Sequence, residues 1–146
     1  MRWLNVSILA VVVGSALLAA AKDETVAELK ARAESARPED RAPIYVQIAH
    51  FHLRNADKLY NDGKVDQARA TVDDVLNYSE KATDAAIQSR KHQKNVEIAV
   101  RKMAEKLRDI KRTLNLEDQP PVEAAIKHLE DIRTRLLEAM FPKGKK

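Results

Sequence analysis

Between Lys64 and Leu114 the chain contains neither glycine nor proline. Nothing in that stretch supplies the backbone freedom of a turn or the ring that stops a helix. An alternating spacing of three and four residues runs through it without a phase break. It passes through Val65, Ala68, Val72, Val75, Ser79, Ala82, Ala86, Ser89, Gln93, Val96, Val100, Met103, Leu107, Ile110 and Leu114. A 3.5-residue repeat keeps one stripe of a helix facing a partner, as in a coiled coil. The stripe is apolar at both ends and small or polar in the middle, from Ser79 to Gln93. Two readings follow. One is a single helix over 64–114, about 75 Å long at about 1.5 Å per residue. The other is two helices broken near 89–92. The unbroken phase favours the first.

The flanking segments read as helices too. Thr25 and Glu28 make a T-x-x-E capping box ahead of Val26, Leu29 and Ala33, which share one face. Pro38 stops that helix, because the residue before a proline is pushed out of the helical region. A second helix is expected to begin between Glu39 and Pro43 and to end near Asn61. Its apolar positions cover more than one face, so it should touch two partners. Gly63 closes it in a left-handed conformation. A last helix opens at Pro120 and Pro121 and runs to about Met140, with Val122, Ala125, Leu129, Ile132 and Leu136 on one side. The predicted fold is all-α: an antiparallel helical bundle of three to four helices built around the long central one. With aromatics at only 4% the core is thin, so self-association is expected to bury more of it.

The first residues do not fit this fold. Arg2 precedes an apolar run from Val6 to Leu18, followed by Ala19, Ala20 and Ala21 and then by Lys22, Asp23 and Glu24. That is the order of a secretory signal peptide, cleaved after Ala21. Retention as an uncleaved anchor is the alternative, and the only expected membrane contact. The domains are then 1–21 as signal peptide, 22–141 as helical domain and 142–146 as a basic disordered tail. The chain has no cysteine. Small exported domains of eukaryotes often rely on disulfides, so a periplasmic or secreted bacterial protein is the expectation.

Residues 44–82 resemble a single tetratricopeptide-type hairpin. Ala56, Leu59, Gly63, Ala68, Val72 and Val75 follow the small–large–Gly–Ala–large–small order of that repeat. The resemblance implies a tight helix–turn–helix unit and a protein-binding role. The second helix is longer than the repeat allows, its usual aromatic positions are missing, and no second copy is visible. The layout otherwise resembles uncharacterised exported helical proteins of bacteria.

Chemistry-bearing constellations are sparse. His50 and His52 are two apart, so on a helix they diverge; metal pairs need spacings of three or four. His128 and Asp131 have such a spacing but no further ligand. There is no nucleophile elbow and no glycine-rich phosphate loop. The adjacent acids Asp73–Asp74 and Glu130–Asp131 diverge by about 100° on a helix. Asn77-Tyr78-Ser79 fits a glycosylation sequon, but it lies mid-helix and reads as a chance match. No catalytic, cofactor or metal residue is therefore assigned, and the protein is not expected to be an enzyme.

Charge is the most informative functional feature. Residues 22–88 carry 10 Lys/Arg against 13 Asp/Glu, whereas 89–115 carry 9 against 3. Lys91, Lys94, Arg101, Arg108 and Arg112 follow one another at helical spacings. Such a stripe could bind an anionic envelope component, a lipid headgroup or a polysaccharide. Glu97, Glu105 and Asp109 could also neutralise it locally. No aromatic residues interleave, so nucleic acid is not an expected partner. The leading expectation is an exported protein that mediates protein–protein interaction or acts as an envelope scaffold. Anion binding is the alternative.

Overall fold

The computed structural model describes residues 24–144. The predicted signal peptide and the last two lysines lie outside the described residues. Among the described residues five α-helices follow one another: α1 (Val26–Ser35), α2 (Arg41–Asn61), α3 (Val65–Ser89), α4 (Gln93–Thr113) and α5 (Gln119–Met140). Single 3₁₀ turns, Pro38–Asp40 and Leu116–Asp118, precede α2 and α5. Among the described residues there are no strands.

Local chemistry explains most of the boundaries. The Thr25 hydroxyl accepts the Glu28 N–H, and the Glu28 carboxylate accepts the Thr25 N–H, both at 3.2 Å. Two of the N–H groups left over by the first turn are thereby satisfied. Arg37, ahead of Pro38, has the extended conformation that a following proline demands. Gly63 has φ +73° in the tight turn between α2 and α3, where a side chain would be strained.

The single helix over 64–114 is corrected. Arg90 and His92 both have left-handed backbones, φ 56° and 64°, and the chain reverses there to separate α3 from α4. The Ser89 hydroxyl accepts the Lys91 N–H at 3.2 Å and helps to close the turn. The stripe itself is real: each of its residues from Val65 to Leu114 is buried or half-buried. Ser89 and Gln93 are four apart, so a three-residue reversal leaves the phase undisturbed. The spacing therefore encodes which side faces a partner, without encoding whether the helix continues.

Packing then follows from burial. α1 lies on α2, α2 on α3, and α4 on α5; α3 also runs beside α5, and α2 beside α4. Bonds between helices give the directions. Glu97 pairs with Arg133 and Lys111 with Glu123, so α4 and α5 are antiparallel. Arg69 pairs with Asp118 just ahead of α5, and Asp84 with Arg135, so α3 and α5 run the same way. Ile48, Val75, Val96, Val100, Met103, Leu107, Leu129 and Leu136 fill the interior and are fully buried. Ala49, Ala56, Ala68, Ala82 and Ala86, also fully buried, let the helix backbones approach closely. Ser79 sits in the core at no cost in polarity, because its hydroxyl donates to the Val75 carbonyl at 2.7 Å.

The reversals collect the connections at two poles. One pole holds the start of α2, the Arg90–His92 break and the end of α5. The other holds the α2–α3 turn and the α4–α5 connection. α2 to α5 have 21 to 25 residues each, so the poles lie about 32–38 Å apart at about 1.5 Å per residue.

Candidate interaction surfaces

The five cations of the predicted stripe do not form one row. Arg101 lies 3.7 Å from both Glu97 and Glu105. Arg108 pairs with Glu130 of α5, and Arg112 with Asp109 at 2.9 Å. The neighbouring Lys106 reaches Asp57 of α2 at 2.7 Å, and Lys111 reaches Glu123. Most of the positive charge of α4 is thus met by acids on its own surface or on the helices it packs against. Exposed pairs of this kind contribute about 0.2–1 kcal/mol each, so they set register more than stability.

Lys91 and Lys94 are different. Both are exposed and have no ion-pair partner among the described residues. They sit at the α3–α4 break beside exposed Arg90, and exposed Lys143 follows α5 at the same pole. His92, which caps α4, makes no side-chain bond to the first turn, and no acidic residue lies in that turn. A helix start carries free N–H groups and a partial positive charge. Adding Lys94 there is unfavourable for the isolated fold. Arg90, His92, Gln93, Lys94, Met140 and Phe141 border a shallow groove of about 450 Å³. Phe141 is 69% exposed at its edge.

The opposite pole has the reverse character. Exposed Asp62 and Glu117 make no ion pair among the described residues, and Asp66 is fully exposed with only a 4.0 Å contact to Arg69. Leu116, 82% exposed, precedes Glu117 in the connection at this pole. Over the connecting segments 61–66 and 114–120 the count is one Lys/Arg against four Asp/Glu, a net of −3. Over 37–41, 88–95 and 140–144 it is six against two, a net of +4. The basic balance of residues 89–115 was legible from the sequence. The acidic pole was not, because its residues come from two turns about fifty positions apart.

The histidines do not converge. His50 borders a groove of about 650 Å³ between α1 and α2, with Leu29, Gln47, Phe51 and Arg54. Burial lowers its pKa, helped by Arg54 and Lys102. His52 stacks on Tyr78 at 5.7 Å, with Nδ1 3.8 Å from Asp74. Burial lowers its pKa as well, against the opposing pull of Asp74. His128 contacts Glu80 at 2.8 Å rather than Asp131, which pairs with Lys127. Sequence reading offered Glu97 as the local partner of Arg101, which it is, but missed that this nearly buried carboxylate also holds Arg133 of α5, and missed Glu80, which also holds Arg135. Ion pairs across a helix interface leave no signal in local spacing.

Among the described residues no group of three or more His, Asp or Glu is placed to hold a metal ion, and no helix is long and apolar enough to cross a membrane. No protein family, curated protein or solved structure matches the chain.

Proposed function

We propose that this is an exported, non-catalytic helical protein that mediates protein–protein interaction or acts as a scaffold in the cell envelope. The observation that carries this reading is the distribution of unpaired surface charge. Most cations of α4 are met by neighbouring acids, whereas Arg90, Lys91 and Lys94 at the α3–α4 break and Lys143 after α5 make no ion pair among the described residues, at the pole that also exposes Phe141. A surface kept charged, uncapped and apolar at once is disfavoured for the free chain and suits a contact. The domain of residues 22–141 is an antiparallel helical bundle, and 44–82 serve as its tetratricopeptide-type hairpin. The leader at 1–21 directs the chain to the periplasm or the medium. A photo-crosslinking residue at position 141, in cells making the full-length chain, should trap a protein adduct. A chain that forms no adduct and stays monomeric in envelope extracts would overturn the reading.

A second reading has its own support. Arg90, Lys91 and Lys94 surround the uncapped start of α4, an arrangement that suits phosphate or carboxylate groups of an anionic lipid or polysaccharide. Binding to vesicles rich in phosphatidylglycerol should then weaken steeply with added salt. Salt-independent binding, or none, would dismiss it.

A further inference from the structure

We propose that the protein assembles head to tail, the basic pole of one copy seating on the acidic pole of the next. This rests on the scaffold reading above and names its partner: a second copy of the same chain. Each pole carries a large exposed apolar side chain, Phe141 at one and Leu116 at the other. Phe51, on the groove between α1 and α2, is the other large apolar residue exposed among the described residues. Arg90 and Lys94 border Phe141's groove, with Lys91 between them in the chain, and Leu116 shares its pole with exposed Asp62, Asp66 and Glu117. The two poles are therefore complementary in charge and alike in exposing one large apolar side chain.

They cannot neutralise each other within one molecule. Their separation of about 32–38 Å is several times the screening length of about 8–10 Å at physiological salt. The matching charge must come from outside. A second copy supplies it with both poles used and the long axes aligned. Such a contact joins different surfaces of the two copies and leaves one free pole at each end, so it repeats into a filament rather than closing as a dimer. Four helix ends spaced by about 8–10 Å present only about 400 Å² per copy, below a standard interface of about 800 Å² per partner. The association is accordingly weak and governed by charge, and local concentration in the envelope drives it.

The test is sedimentation velocity of protein made from the full-length sequence, over a concentration series. At about 50 mM salt the average mass should rise steadily with concentration past the dimer; at about 500 mM the association should weaken by at least about tenfold. Two charge-reversed chains sharpen it: Lys91→Glu with Lys94→Glu, and Asp66→Lys with Glu117→Lys. All four positions are exposed, and circular dichroism checks that the helices remain. Each variant alone should associate at least about tenfold more weakly than the wild type, and an equimolar mixture should recover association. A wild-type chain that stays monomeric at low salt overturns the proposal, as do variants that associate like the wild type or fail to complement one another. A monomer that nonetheless sediments with phosphatidylglycerol vesicles also overturns it, assigning the basic pole to a lipid surface. An adduct at position 141 with a different protein would leave the interaction reading standing while this assembly fails.

Discussion

Arg90 and His92 show how a single backbone conformation decides the course of the chain. A non-glycine residue in the left-handed region costs about 1 kcal/mol or more, and this turn contains two of them. His92→Gly should therefore raise unfolding free energy by about 0.5–1 kcal/mol, read from urea denaturation. A destabilised variant would mean that the His92 ring contributes more than its backbone costs. In the core, Leu107→Ala should cost about 2–5 kcal/mol, because the side chain is fully buried and neighbouring helices fix the cavity. His50 and His52 give the fold a pH dependence. Burial depresses both pKa values below the ordinary 6.5. The unfolded chain then binds protons that the folded one refuses, so stability is fully present above about 6.5 and declines as pH falls toward the folded values. A double His50→Gln, His52→Gln variant should flatten the pH 5–7 part of the stability profile; an unchanged slope would assign it to other groups.

At the scale of elements, the sequence was most legible where a rule involves neighbours along the chain. The Thr25 capping box, the Pro38 stop, the Gly63 turn and the prolines opening α5 all lie where their chemistry places them. The buried stripe through α3 and α4 was legible too, down to Ser79 and Gln93. The reversal inside it was not, because a break made of Arg90, Lys91 and His92 uses none of the usual turn residues and keeps the phase. The candidate site was half legible: Lys91 and Lys94 remain free, while Arg101, Arg108 and Arg112 found partners partly on helices that no local rule places nearby. α4 also carries a conflict that predicts a trade. Lys94 sits in its first turn with no acid to balance the helix dipole. Lys94→Glu should raise thermal stability by about 0.3–1 kcal/mol while weakening whatever contact the basic pole makes. A variant losing stability would show that Lys94 is held by an interaction of its own.

For the whole molecule, the low content of aromatic residues is offset by alanine-mediated close packing and by a core drawn from all five helices. The arrangement of helices has a consequence for how the chain could be divided. Residues 24–90 form one helical hairpin with its α1 brace, residues 92–144 form another, and the peptide linking them is an exposed pair of basic residues. A protease specific for Arg and Lys should clip there first, and the two pieces, each helical but with half its apolar side bare, should find each other again. Coexpressed as separate polypeptides, they should copurify as a nicked equivalent of the intact protein, a ready-made split pair; fragments that stay apart would mean that the link is needed for the halves to meet.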